Sequence, residues 1–347
     1  MKSLKDFNCH GKKILLRCDF NIPLSEQGNI LDDFRIKQTL PTIEYLKERG
    51  VKVILISHLN RPEGKELKYS LRVVGVRLQE LLGFNVRFLS DCIGDEVKKE
   101  IDKMELGEIV LLENLRFHKQ EEENDSDFAK ELASLGDIYI NDAFAVCHRK
   151  HASIVGIPQY LVSGQGLLLE KEIKILTDLI KNPKRPLISI IGGKKAETKA
   201  RFINKISEIA DFVLINEILD KEIEEKGIIL NNPQKIIRPI DNIDTFDIGP
   251  KTIELFKEKI KKAKTVFWSG PLGKIEDKEY RNGSEQIAKA IIESNVFSIM
   301  GGGETIEFIN QSGESSKFNH LSTGGGAMLS FLSGEELPGL QALKYGS

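Results

Sequence analysis

The chain has 347 residues, 40% hydrophobic and 29% charged, more apolar mass than one core usually holds, so two domains are expected. Its 50 lysines and arginines are balanced by 52 acidic residues, a formal net charge of −2, which removes the bulk electrostatic case for nucleic acid or an anionic membrane as a partner. Cys9, Cys18, Cys92 and Cys147 form no CxxC pair, MKSLKDFNCHGKK has no apolar leader core, and the longest uncharged stretch, 154–169, is broken by Pro158, Gly164 and Gly166; reduced thiols, a cytoplasmic location and no membrane span are expected.

Short β-branched runs alternate with charged amphipathic stretches. Strands are predicted at 14–17, 52–56, 85–88, 109–112, 138–140, 187–191, 212–215, 265–268 and 297–300, apolar enough for burial on both faces. Between them, helical patterns run over 42–49, 73–82, 127–135, 252–262 and 284–293, with Pro41 assigned to a first turn. The acidic run Glu121-Glu122-Glu123-Asn124-Asp125 reads as a solvated turn. At 167–181, Leu169, Ile173, Leu176 and Ile180 recur at helical spacing until Asn182-Pro183 stops them, which predicts a helix over 167–182 joining two α/β halves. The alternation predicts parallel sheets wrapped by helices.

Ligands of open α/β sheets bind beyond the carboxyl ends of strands, and those ends are distinctive here. In the first half they run into Asp19-Phe20-Asn21, Ser57-His58-Leu59-Asn60-Arg61, Glu113-Asn114-Leu115-Arg116 and Asn141-Asp142, with His148, Arg149 and His151 following and Arg35 after Asp32-Asp33. Guanidinium forks match carboxylate and phosphate oxygens, so a small, multiply anionic ligand is expected. In the second half the ends are glycine-rich: Gly192-Gly193-Lys194-Lys195 with Lys199 one turn on, Ser269-Gly270-Pro271, Gly301-Gly302-Gly303-Glu304 and Gly324-Gly325-Gly326. Glycine lets phosphate oxygens reach backbone amides at helix N-termini, and Glu304 is a candidate Mg²⁺ ligand. A lone glycine run is usually a tight turn, and one arginine beside an aspartate a weak surface pair. It is the repetition at nearly every strand end that points to a site. His148 and His151 lack a cysteine or carboxylate at ligand spacing and are read as anion contacts or structural groups. GxxxxGK[ST], GxGxxG after the first strand, and a nucleophile elbow are all missing from the sequence.

With these residues in view, the chain resembles phosphoglycerate kinases. The matching stretches include RCDFNIP (17–23), SHLNRPEG (57–64), LLENLRFH (111–118), NDAFAVCHRKHAS (141–153), IIGGKKAETK (190–199), FWSGPLGKIE (267–276), MGGGETIE (300–307) and HLSTGGGAML (320–329), in the family's order. The resemblance implies two Rossmann-like parallel-sheet domains joined by a hinge helix, with the C-terminal domain abbreviated. It implies a 1–166 domain for 3-phosphoglycerate or 1,3-bisphosphoglycerate, a 183–328 domain for Mg-ADP or Mg-ATP, and a 329–347 segment returning to the first domain. Asp19, Phe20, Asn21, Arg35, His58, Leu59, Asn60, Arg61, Arg116 and Arg149 become triose contacts. Gly192, Gly193, Lys195, Lys199, Glu276, Gly302, Gly303, Glu304 and Thr305 become nucleotide contacts, with Glu304 on Mg²⁺. Arg35 and Lys195 would flank the migrating phosphoryl group, in a monomer that uses neither nucleic acid nor membrane.

The departures gather in the second half. The family's metal-loop Asp is Glu304, the Asp before its nucleotide lysine is Thr198, and its Asn before Gly-Pro is Ser269; in the first half SHLGRP has become SHLNRP at Asn60 and Gly-Thr-Ala has become Ala145-Val146-Cys147. After 212–215 the family has a triple-glycine loop and further βα units flanking adenine, where this chain has Asn216-Glu217-Ile218 and a short charged segment. Two readings stand at this point: a phosphoglycerate kinase, or a protein of that kind which keeps triose binding with impaired or altered nucleotide use.

Overall fold

Strands with no polar side to spare, such as KVILI and LISII, must be covered on both faces, and parallel sheets between helices provide that cover. The computed structural model describes Met1–Gly346. It divides into two compact units, Met1–Lys174 with the chain from Glu336 onward, and Ile175–Glu335.

The first unit contains β1 (Lys13–Arg17), α1 (Phe34–Lys47), β2 (Lys52–Ile56), α2 (Arg72–Leu82), β3 (Arg87–Phe88), α3 (Asp95–Asp102), β4 (Ile109–Leu111), α4 (Gln120–Glu123), α5 (Ser126–Ala133), β5 (Ile138–Asn141) and β6 (Val162–Gln165). Its six strands pair in the order β3-β4-β2-β1-β5-β6, all parallel, with Leu15 opposite both Ile54 and Tyr139. One face packs Ile14, Leu16, Val53 and Leu55 against Ile36 and Ile43 of α1 and Val74 and Leu78 of α2. The connection order reverses on either side of β1, which opens a crevice beyond the ends of β1, β2 and β5. From there α6 (Leu167–Lys181) carries the chain out of the first unit and into the second.

The second unit contains β7 (Leu187–Ile191), α7 (Ala196–Ile209), β8 (Phe212–Ile215), α8 (Glu217–Glu225), β9 (Ile236–Ile237), β10 (Asn242–Ile243), β11 (Asp247–Ile248), α9 (Pro250–Lys261), β12 (Thr265–Ser269), α10 (Asn282–Glu293), β13 (Phe297–Gly301), α11 (Gly303–Gln311), β14 (His320–Leu321) and α12 (Gly326–Leu332). The large sheet is parallel in the order β14-β13-β12-β7-β8-β9, with its switch point between β7 and β12; β10 and β11 form a separate antiparallel pair. α12 packs on α7 and belongs to this unit, so the return expected from 329 begins at Glu336. The last helix, α13 (Pro338–Tyr345), lies on the first unit, where the Gly339 N–H donates to the Cys147 carbonyl at 2.9 Å.

Three expectations need correction. Pro41 lies inside α1, which begins at Phe34, whose amide donates to Asp32 Oδ1 at 2.7 Å; the proline is tolerated because Pro41 and Lys37, whose carbonyl it leaves free, both face solvent. The strands β6, β9, β10, β11 and β14 carry too few apolar residues for periodicity to reveal. The acidic run is not a solvated turn: Glu121 is 0% exposed on α4, accepts from the Ser153 amide at 2.8 Å and its hydroxyl at 2.5 Å, and stands 4.0 Å from the equally buried Arg17.

Removing one partner of a buried ion pair strands the other charge, at a cost of about 3–5 kcal/mol. Glu121→Ala is expected to lower unfolding stability by that amount in urea, while Glu123→Ala, on the exposed side of α4, stays within about 0.5 kcal/mol. Equal urea midpoints for the two variants would show that Arg17 does not depend on Glu121.

Candidate functional site

In the first unit the crevice floor is charged before any ligand arrives. Arg17, at the end of β1, is fully buried; its Nε donates to Ser153 Oγ at 2.9 Å, Nη1 donates to the Cys18 carbonyl, and Nη2 lies 3.2 Å from His58 Nδ1. Since guanidinium only donates, His58 Nδ1 accepts and the ring is neutral. Burial first, then the charges of Arg17, Arg116, Arg149 and Arg35, hold the His58 pKa well below the usual histidine range.

The predicted triose contacts gather around this histidine. Arg35 donates to Asp19 Oδ2 at 2.7 Å and to the Asn21 carbonyl at 3.1 Å. Asn21 Oδ1 accepts from the Asn60 amide at 2.8 Å, and Arg116 Nη1 donates to the Asn60 carbonyl at 2.6 Å. Asn60 has φ +57°, a left-handed conformation that asparagine tolerates better than most residues, which explains how it stands in for the family's glycine. Phe20 and Leu59 are placed differently: both side chains lie in the core, so only their backbone reaches the crevice.

Burial pushes Arg116 down to about 10, with Glu122 opposing and Arg149 and Arg17 adding to the fall; burial and then Arg61 lower Arg149. Glu121, Asp19 and Glu122 pair with Arg17, Arg35 and Arg116, and among the described residues Arg61 and Arg149 are left with no carboxylate within ion-pair distance. A surplus of two fits a phosphate dianion. Burial, then Arg116, Arg17 and Arg149, bring His151 down to about 3, so it too is neutral.

The second unit uses backbone where the first uses side chains. Gly192 N–H donates to the Ser269 carbonyl at 3.0 Å and Gly193 N–H to the Pro271 carbonyl at 2.9 Å, binding the loops after β7 and β12 together. A methyl on Gly270 would fall 2.2 Å from the Gly192 oxygen and 2.6 Å from Lys199 Nζ, so only glycine fits. Lys199 Nζ donates to the Gly192 carbonyl, and loss of hydration brings its pKa down to about 8, opposed by Glu304. Lys195, the residue before α7, has φ +72°, a strained conformation for a side-chain-bearing residue. The Gly270 amide donates to Thr305 Oγ1 at 2.7 Å, and α11 starts at Gly303 with no side-chain cap, leaving its first amides for an anion.

Lys195, Lys199, Glu276, Glu304 and Gly193 line one cavity of about 280 Å³; Gly192 lies beside it through its contact with Lys199. Lys194 and Pro271, read from the sequence only as parts of the glycine-rich loops, lie in the same wall, and sequence reasoning gave no role to Gly273, Lys274 or Ile218 there. It also missed Arg17, Glu121 and Ser153 beneath the first crevice. The signal for these was weak: an arginine closing an apolar strand, and one acid in a run of four. Asn216, where the family has glycine, caps α8 by accepting from the Leu219 amide at 3.2 Å, which brings Ile218 to the cavity edge.

A model of the phosphoglycerate kinase family matches residues 4–220 and 218–335, breaking where the segment after β8 is short. The phosphoglycerate kinase of Dictyoglomus turgidum is 45% identical over 387 aligned positions covering 98% of each chain, and that of Borrelia garinii subsp. bavariensis is 43% identical over 391 positions covering 99% of each. An alignment of 387 positions leaves at least 40 opposite no residue of a 347-residue chain. Among solved structures, phosphoglycerate kinase from Pyrococcus horikoshii superposes with a TM-score of 0.88 at 33% identity, covering 100% of this chain and 99% of that one. The enzyme from Coxiella burnetii gives 0.84 at 30% identity, covering 99% and 98%. A family match across nearly the whole chain, on two parallel-sheet units whose strand ends carry arginines in one and amide-lined loops in the other, establishes that the chain belongs to the phosphoglycerate kinase family of phosphotransferases.

Proposed function

We propose that the chain runs the family's reaction, reversible phosphoryl transfer between 1,3-bisphosphoglycerate and ADP, with the triose bound by the first unit, the nucleotide by the second, and α6 as the linking helix. The surplus of two positive charges around neutral His58 carries this reading: it needs an anion, and a phosphorylated carboxylic acid supplies one. Arg61, Arg116 and Arg149 take the triose phosphate and carboxyl oxygens, and Asp19, Asn21 and Asn60 fix the frame in which Arg35 points. In the second unit the Gly192–Gly193 and Gly302–Thr305 loops hold nucleotide phosphates, Lys199 adds charge, and Glu276 takes the ribose.

Phosphoryl transfer through a loose transition state asks for in-line positioning and charge neutralisation, not a covalent nucleophile. Arg35 in the first unit and Lys195 in the second are the side chains we assign to the charge of the migrating group. Glu304 fits a Mg²⁺ that arrives with the nucleotide, since it is an exposed hard carboxylate beside an amide-lined phosphate cradle. When bound, that ion neutralises phosphate charge. The reading extends to a monomer in the cytoplasm; no helix among the described residues is long and apolar enough to cross a membrane.

Separate titrations with 3-phosphoglycerate and Mg-ADP, followed by a coupled turnover assay, are expected to show binding of both and catalysis. Triose binding without turnover would instead support the reading with impaired nucleotide use. Arg35→Ala and Lys195→Ala are each expected to lower kcat by roughly 100-fold or more, with triose affinity in the first variant changed far less. Equal losses in affinity and turnover would reduce Arg35 to a binding group.

Lys199 gives a pH test with a definite sign. Its pKa in the folded protein, about 8, lies below its ordinary value, and a bound phosphate pulls it back up. At pH 8 Mg-ADP binding should therefore take up about half a proton, and affinity should fall as pH rises from 8 towards 10. Calorimetry in buffers of different ionisation enthalpy measures the uptake; Lys199→Arg should abolish it, and a wild-type protein with no uptake would refute the assignment.

A further inference from the structure

We propose that Asp91, Cys92 and His118, which the reaction does not use, form a binding site for one zinc-class divalent cation. Asp91 and Cys92 follow β3, and His118 follows the turn Leu115–Phe117 after β4. β3 and β4 are parallel neighbours, Arg87 opposite Val110 and Phe88 opposite Leu111, so the two loops leave the sheet side by side. The Leu89 amide donates to the Leu111 carbonyl at 2.9 Å and the Glu113 amide to the Asp91 carbonyl at 3.4 Å, which fixes their spacing.

One ligand atom from each of the three side chains lies within 4.8 Å of the others. His118 Nε2 is 2.7 Å from Asp91 Oδ1, which also accepts from the Cys92 amide at 2.8 Å. Ordinary zinc–ligand bonds on a tetrahedron put ligand atoms about 3.5 Å apart. Reaching that spacing takes adjustments of about 1 Å, the scale of a side-chain rotation.

The environment favours a cation. Cys92 is fully buried while Asp91 and His118 are half-buried, so an entering ion meets oxygen and nitrogen first and sulfur at the floor. Among the described residues the Cys92 thiol donates to no acceptor, whereas Cys18 donates to Leu16 and Cys147 to Ala143. Sulfur, imidazole and carboxylate together select zinc over hard Mg²⁺. On binding, His118 moves its ring proton to Nδ1 to free Nε2, the thiol proton leaves to water, and a water completes the fourth position.

The test uses the full chain, stripped with a chelator and held in excess Mg²⁺ so that hard-oxygen sites are filled. Titration with Co²⁺ is expected to give a thiolate-to-cobalt charge-transfer band saturating at one equivalent, and one equivalent of Zn²⁺ should erase it. The band should be lost in Cys92→Ser, and affinity should drop at least 10-fold in Asp91→Asn and His118→Gln. No band in the wild-type protein, or a band that survives Cys92→Ser, overturns the proposal. Cys92 is buried, so the two half-buried positions decide independently of whether its variant folds: undiminished affinity in both also overturns it.

Discussion

Like charges do not gather unless something fixed holds them, and in the first unit that anchor is Arg17. Its guanidinium is locked by Ser153, the Cys18 carbonyl and His58, with Glu121 beneath. Ser153 in turn sits on a π-helical turn, Ala152–Gly156, where its carbonyl accepts from the Tyr139 hydroxyl at 2.6 Å. Such turns are frequent at functional sites. With Arg17 immobile and charged, His58 has no reason to take a second proton, and Arg35, Arg116 and Arg149 meet a neutral acceptor instead of a fifth cation. The rim is therefore short of anions at any ordinary pH, and that shortage is the binding energy a phosphorylated acid can use.

The second unit solves the same electrostatic problem with dipoles. Its loops come close enough for backbone to contact backbone because Gly192, Gly193 and Gly270 carry no side chain, and the one ammonium they enclose, that of Lys199, is half stripped of water. A pre-formed cradle of amides needs no reorganisation when charge shifts on a phosphate. Fixed arginines suit a ligand bound by its whole anionic outline, and amides suit one whose phosphate charge changes during the reaction.

The frame of this arrangement was legible because parallel strands announce themselves as unbroken apolar runs, and because polar residues crowd their carboxyl ends. That pattern alone places Asp19, Asn21, His58, Asn60, Arg61 and Arg116 at strand ends on one rim. Glu121 could not: its neighbours Glu122 and Glu123 face outward, and one acid in such a run turns inward only because Ser153, 32 residues later, waits for it. β6 and β14 escaped for the opposite reason, since VSGQ and His320-Leu321 hold too little apolar surface to read as strands without their partners. Phe20 and Leu59 sit within motif stretches yet point into the core, a reminder that a contiguous motif mixes residues that face a ligand with residues that hold the others still.

The shortened segment shows how separable the two jobs of a nucleotide site are. The missing length lies after β8, whereas the loops proposed to hold phosphate follow β7, β12 and β13, on the far side of β7 from the deletion or on β7 itself. α8 starts at once on its Asn216 cap, and Glu222 accepts from the Ala196 amide at 2.8 Å, so the start of α7 is held by the very helix that the shorter path delivers. The shorter path thus leaves the start of α7 braced by α8 and puts Ile218 at the edge of the cavity. On the proposed reading, a loss confined to that side would fall on nucleotide affinity, which is shared by ground and transition states, and would spare the terms that act on the moving phosphoryl group. That division lets a chain this short keep the family's chemistry.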